Sequence, residues 1–115
     1  MDFRSLVTIE RLPGNVAGTV ILRLTGPLTL AATSLLRAHF RDYELPTMTI
    51  LDMSRVPYVD SSGMSEIVNH ELHCRDKHVR LIVTGLSHRV LGMLKITHLD
   101  KVLNLKATVE DAEAS

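Results

Sequence analysis

Short apolar segments alternate along the chain, some with the two-residue repeat of a strand and others with the spacing of a helix. Two strand-like segments at residues 4–10 and 18–24 are separated by PGNVAG, in which proline, glycine and asparagine favour a turn. A hairpin is therefore predicted near the start of the chain. Residues 47–52 are almost continuously apolar and rich in β-branched side chains, which is typical of a strand buried on both faces.

Three segments have the spacing of amphipathic helices. The first follows Gly26-Pro27, with Thr29 as a candidate cap. The second is predicted over about residues 61–76 and the third over residues 87–96, capped by the serine at its start. The apolar stripe expected to bury the second helix consists of Met64, Ile67, Val68 and Leu72.

Further strands are predicted at residues 79–83 and 101–105, and Thr108 with Asp111 begins a last short helix. Strands that alternate with helices favour a parallel sheet joined by right-handed crossovers. The expected fold is therefore α/β, a single domain over residues 1–115. It has a mixed, mostly parallel sheet with an N-terminal hairpin, and helices pack against that sheet.

Composition excludes several classes of function. The chain has 13 basic and 13 acidic residues and only 3% aromatic ones, so no nucleic-acid-binding surface is expected. The longest apolar-looking region is interrupted by Arg23 and by Gly26-Pro27, so no membrane span is expected. The single Cys74 excludes an internal disulfide, and the first ten residues lack the features of a signal peptide, which favours a cytoplasmic location.

The stretch VDSSGMSE, residues 59–66, places an acid, two hydroxyls and a glycine between a predicted strand and a predicted helix. Asp60 or Ser61 could act only as a helix cap, which stabilises by about 1 kcal/mol. The carboxyl ends of parallel strands are also where functional sites usually lie. These residues alone leave both interpretations open.

The longer segment LDMSRVPYVDSSGMSEI resembles the signature of the STAS family, the anti-sigma factor antagonists. In that family a buried strand ending in Leu-Asp leads to Asp-Ser-Ser-Gly at a helix start. VILRLTGPLTL and RLIVTGLSHRVLGMLKITHLDKVL resemble further family segments, so the resemblance covers about residues 18–105. It implies a regulatory protein that, when unmodified, binds an anti-sigma factor and so frees a sigma factor.

The resemblance implies that Ser61 is phosphorylated by the anti-sigma factor, an ATP-dependent serine kinase, and reset by a serine phosphatase. Gly63 is expected to leave room for a partner's backbone, and Glu66 to lie close enough to repel an added phosphate. Val56 and Pro57 are expected to add a hydrophobic contact. The implied partner-binding residues are Tyr58, Asp60, Ser61, Ser62, Gly63 and Met64, although the spacing of Met64 also predicts core packing.

One departure from the family pattern concerns the segment after the second strand. Many phosphorylated members have Gly-Glu-Leu-Asp where this chain has Gly26-Pro27-Leu28-Thr29, so kinase recognition stays open. STAS relatives also serve as unphosphorylated subunits beside lipid-transport ATPases or in sensory assemblies. A constitutive adaptor of that kind is the alternative function.

Neither catalysis nor a required cofactor is expected. The chain has no Gly-x-Ser-x-Gly elbow and no phosphate-binding P-loop. In NHELHC a helix would align His70 with Cys74 and turn His73 away, so a closed zinc site would need a distant ligand such as His78. A solvated helix flank with a partly buried Cys74 is expected, and no metal site.

Overall fold

The computed structural model describes residues 7–41 and 46–115, and of Arg41 only the backbone. One sheet has five strands whose spatial order follows the sequence, with the first strand antiparallel to the second and the other neighbours parallel. The predicted α/β class, opening hairpin and mostly parallel sheet are confirmed. The strands are β1 (Thr8–Pro13), β2 (Thr19–Thr25), β3 (Met48–Arg55), β4 (Arg80–Thr84) and β5 (Asn104–Lys106).

Helices connect the parallel strands, and two predicted caps are confirmed. Ser87 Oγ accepts a hydrogen bond from the Val90 amide at 3.2 Å, and Thr108 Oγ1 accepts one from the Asp111 amide at 3.1 Å. The helices are α1 (Thr33–Arg41), α2 (Ser61–Asp76), α3 (His88–Ile96) and α4 (Val109–Glu113), and 3₁₀ turns lie at Leu30–Ala32 and Leu99–Lys101.

Several strand boundaries differ from the prediction. β1 was predicted at 4–10 but continues to Pro13, which is tolerated because β1 is an edge strand that can lack one amide donor. Residues 4–6 of that prediction lie outside the described residues. β3 extends beyond residue 52 to Arg55, and β5 begins at Asn104 because a 3₁₀ turn occupies residues 99–101.

Alternating side chains divide the core between the two faces of the sheet. One face carries Leu22, Leu51 and Val83 and packs against α1, α2 and α3. The opposite face carries Ile50 and Ile82 and packs against α4. No helix in the described ranges is long and apolar enough to cross a membrane.

The buried side of α2 differs from the predicted stripe. Leu72 is half exposed, so its predicted burial was wrong, whereas Met64 and Ile67 are buried as predicted. His70 and Cys74 continue the buried side because they follow Ile67 at intervals of three and four residues. A polar side chain, His70, therefore packs against Phe40 of α1.

Candidate functional site

Asp60 lies where the loop after β3 becomes α2, and its carboxylate holds two separate segments. Oδ1 accepts a hydrogen bond from the Gly63 amide at 2.9 Å, which caps α2. Oδ2 accepts one from the Leu30 amide at 3.0 Å, at the 3₁₀ turn before α1. Thr29 makes no capping bond with its side chain, so its predicted role was wrong. A residue distant in sequence supplies the acceptor instead.

The loop before α2 is held against Leu28 like a short strand. The Leu28 amide donates to the Tyr58 carbonyl at 3.1 Å, and the Asp60 amide donates to the Leu28 carbonyl at 3.0 Å. Leu28 and Val59 form a parallel bridge, and both side chains are buried. The start of α2 therefore has a set position relative to the segment that leads into α1.

Gly63 is buried against the backbone of Leu28 in the same chain. A Cβ at position 63 would collide with the Leu28 carbonyl oxygen and lie 2.8 Å from its carbonyl carbon. The expectation that Gly63 leaves room for a partner's backbone was therefore wrong. The absent side chain allows α2 to pack against its neighbouring segment.

The three serines at the start of α2 have different surroundings. Ser61 and Ser65 are exposed, whereas Ser62 is half-buried. Ser65 Oγ donates to the Ser61 carbonyl at 2.9 Å. The Ser61 hydroxyl makes no hydrogen bond to the described part of the chain. Ser61 therefore has an accessible hydroxyl and, within the described ranges, no hydrogen bond that a modification would break.

Ser61 opens onto a groove between α2 and α3 with a volume of about 380 Å³. Its apolar lining includes Met64, Val68, Met93 and Leu99. Met64 is only 5% exposed, which confirms its predicted core packing. Met64 therefore contributes to the floor of this groove and only a small part of it is accessible to a partner.

The loop before Ser61 presents fewer apolar side chains than predicted. Val56 is buried, so its expected role in a hydrophobic contact was wrong, whereas Pro57 and Tyr58 are exposed. The Cζ of Arg89, in the first turn of α3, lies 5.3 Å from the centre of the Tyr58 ring. The sequence analysis did not identify Arg89 as a candidate site residue. The available signal was its place two residues after the predicted cap Ser87, which puts it in the first turn of α3.

Glu66 points toward α1 and forms an ion pair there. Its carboxylate Oε1 accepts a hydrogen bond from Arg37 at 2.6 Å, and Glu66 is 6% exposed. This hydrogen bond and the carboxylate charge raise the pKa of Arg37. The charge that was expected to repel a phosphate on Ser61 is therefore neutralised by a cation of α1.

His70 and Cys74 lie on one side of α2, as predicted, but that side is buried. His70 Nε2 is 3.7 Å from Cys74 Sγ, and the His70 ring stacks on Phe40 with centroids 4.2 Å apart. The expectation of a solvated flank was wrong because both residues are buried, His70 against Phe40 of α1. Burial, and secondarily the charge of His73, lowers the His70 pKa to about 4. Among residues 7–41 and 46–115, no three His, Cys, Asp or Glu side chains gather to hold a metal.

Known protein structures share the fold of this chain. A sulfate transporter family protein from Wolinella succinogenes is 25% identical, with a TM-score of 0.77 and 87% of each chain covered. An anti-sigma factor antagonist from Mycobacterium paratuberculosis is 19% identical, with a TM-score of 0.77, covering 94% of this chain and 92% of the other. The phosphorylated form of the Bacillus cell fate determinant SpoIIAA is 22% identical, with a TM-score of 0.69 and coverage of 93% and 97%.

The family model for the STAS domain matches residues 8–112, from β1 into α4. The match includes every strand and the loop that carries Asp60 and Ser61. Because it spans nearly the whole chain, this protein belongs to the STAS domain family.

Proposed function

We propose that this protein is an anti-sigma factor antagonist that binds an anti-sigma factor serine kinase and dissociates when Ser61 is phosphorylated. The observation that carries the proposal is the Ser61 hydroxyl, which is exposed at the start of α2 and makes no hydrogen bond to the described residues. A kinase can approach this hydroxyl without unfolding the loop. A serine phosphatase would reset the protein, and sigma-factor-dependent transcription is the regulated process.

The neighbouring serines are poorer acceptors in this geometry. Phosphorylation of Ser65 would break its hydrogen bond to the Ser61 carbonyl. Ser62 is half-buried and lies directly before Gly63, which packs on Leu28. These contacts favour Ser61 as the modified residue.

A phosphate on Ser61 would oppose binding through charge and solvation. Phosphorylation adds about 1.5 to 2 negative charges, which hold water strongly and resist burial against a partner. Ser61 lies at the mouth of an apolar groove, and the ionisable Asp60 is adjacent in sequence. An interface that covers the groove would therefore have to desolvate the phosphate or separate from it.

The experiment compares Ser61→Ala with Ser61→Asp for binding to the anti-sigma factor kinase of the same organism. Ser61→Ala should bind and resist phosphorylation. Ser61→Asp should keep the fold but lose roughly 30-fold or more in affinity, as for a charge-sensitive contact at a desolvated interface. Thr47→Asp is the matched control because it adds the same charge at the exposed residue before β3.

Two results would contradict the proposal. Equal kinase binding by Ser61→Ala and Ser61→Asp would exclude a charge switch at this position. Phosphate located by mass spectrometry on Ser62 or Ser65 would assign the modification to another hydroxyl.

A constitutive STAS adaptor is the second candidate function. The likeness to a sulfate transporter family protein at 25% identity favours it, as does Thr29 in place of the family's acidic residue. Such an adaptor would associate with a transport or sensory protein regardless of the charge at position 61. Unchanged association with such a partner by both Ser61 variants would support this function over the antagonist.

A further inference from the structure

Arg89 is a cation near Ser61 that has no acidic partner in the described ranges. Its guanidinium lies over the ring of Tyr58, three residues before Ser61 in the loop. Two arginines on the neighbouring helices instead form ion pairs, Arg37 with Glu66 and Arg75 with Glu71. Within the described ranges, Arg89 therefore contacts the ring of Tyr58, in the loop that leads to the candidate phosphoacceptor.

Ser61 lines the groove between α2 and α3, and Arg89 precedes the part of α3 that lines it. The two helices follow the neighbouring parallel strands β3 and β4, so they run in the same direction. Ser61 begins α2, and Arg89 lies one helical turn before Met93, which lines the groove with Ser61. Because the two helices are parallel, the first turn of α3, which carries Arg89, lies toward the same end of the groove as the first turn of α2.

None of the carboxylates in the described ranges forms an ion pair with Arg89. Both oxygens of Asp60 accept backbone hydrogen bonds, from Gly63 and Leu30. Glu66 is paired with Arg37 on the α1 side of α2. The guanidinium is thus available to a new anion beside Ser61.

We infer that Arg89 binds the phosphate of phosphorylated Ser61, an inference that rests on the proposed modification of this serine. A guanidinium over an exposed aromatic ring is held weakly. A phosphate offers it charge-assisted, bidentate hydrogen bonds, which are stronger. Phosphorylation would therefore move Arg89 from the Tyr58 ring to the phosphate. The modification then removes a cation from the partner-facing surface at the same time as it adds negative charge.

The test uses full-length protein with phosphoserine placed at position 61 during translation, so that no kinase is required. A ³¹P NMR titration gives the second pKa of the phosphate. This pKa should be lower by about 0.5 units with Arg89 present than in Arg89→Gln, because a nearby cation favours the dianion. Arg89→Lys should restore part of the difference. Lys95→Gln, which removes an exposed cation from the last turn of α3, is the control and should change nothing.

A phosphate pKa that is the same with and without Arg89→Gln would overturn the inference, as would an equal effect of Lys95→Gln. If Arg89→Gln does not fold, the second measurement is the NMR resonance of Arg89 Nε in the protein that retains Arg89. Phosphate binding must shift this resonance between the unmodified and the phosphorylated protein, and an unshifted resonance would overturn the inference. These outcomes are independent of whether a cellular kinase acts on Ser61. The absence of such a kinase would refute the proposed function and leave the phosphate-binding result unchanged.

Discussion

The carboxylate of Asp60 accepts a hydrogen bond from the backbone amide of Leu30, 3.0 Å away and in a different connection of the sheet. The second oxygen of the same carboxylate caps α2 through Gly63. One side chain therefore ties the segment before α1 to the loop that presents Ser61. This contact makes the geometry around Ser61 dependent on two connections at once.

Two substitutions of Asp60 should destabilise the protein to different extents. Asp60→Asn keeps only one acceptor oxygen and should lower the free energy of unfolding by about 1 kcal/mol, whereas Asp60→Ala loses both bonds and should cost about 2 kcal/mol. Urea unfolding measures both changes. Ser61→Ala, at the exposed neighbour, is the control and should stay within about 0.5 kcal/mol. Equal costs for Asn and Ala at position 60 would show that only one of the two bonds matters.

The same substitution should have opposite effects at two helical glycines. Gly63→Ala should destabilise by more than about 1 kcal/mol, because its Cβ would overlap the Leu28 backbone, which cannot move independently. Gly92→Ala should stabilise by about 0.5 to 1 kcal/mol, because its Cβ meets open space and alanine favours a helix. Thermal unfolding of the two variants checks this, and a stabilised Gly63→Ala would refute the close approach to Leu28.

Stability should fall as the pH is lowered from about 6.5 toward 4. The folded His70 has a pKa lowered from 6.5 to about 4, first by burial and then by His73. Below pH 6.5 the unfolded chain binds this proton and the folded chain does not, so protonation favours unfolding. The loss should be on the order of 1 to 3 kcal/mol. His70→Phe, which retains a ring to stack on Phe40, should reduce this loss in urea unfolding at pH 7.5 and 5.

Asp52 acts in a different pH range. Burial alone would raise its pKa, but hydrogen bonds from Ser54 and Arg23 outweigh burial and lower it from 3.8. The stability from Asp52 is therefore present above pH 3.8 and lost only below it.

A loss between pH 6.5 and 4 that persists in His70→Phe would assign the effect to another group.

The groove between α2 and α3 should contribute to partner binding if the proposed function holds. Val68→Ser should weaken binding to the anti-sigma factor kinase by roughly tenfold, because an apolar contact is lost at the interface. Val16→Ser makes the same change at an exposed valine in the opening hairpin and should have little effect. Isothermal titration calorimetry compares the two. Equal affinities would place the interface outside the groove.

Local chemistry was enough to predict the order of elements and several of their ends. The caps Ser87 and Thr108 were found because a capping side chain acts within three residues of its own position. Helix α2 was predicted with its observed bounds for a similar reason, since Asp60 and the following serines favour a helix start. The family signature around Ser61 was also readable, because it is a continuous segment of sequence.

Tertiary structure decided how these elements meet. The bond of Asp60 to Leu30, the packing of Gly63 on Leu28 and the contact of Arg89 with Tyr58 all join residues from different connections of the sheet. Their sequence neighbours carry no signal for such pairings, because the order and register of the parallel strands set them. The chain alone thus determined that a serine stands at a helix start, and only the packed sheet decided which groups surround it.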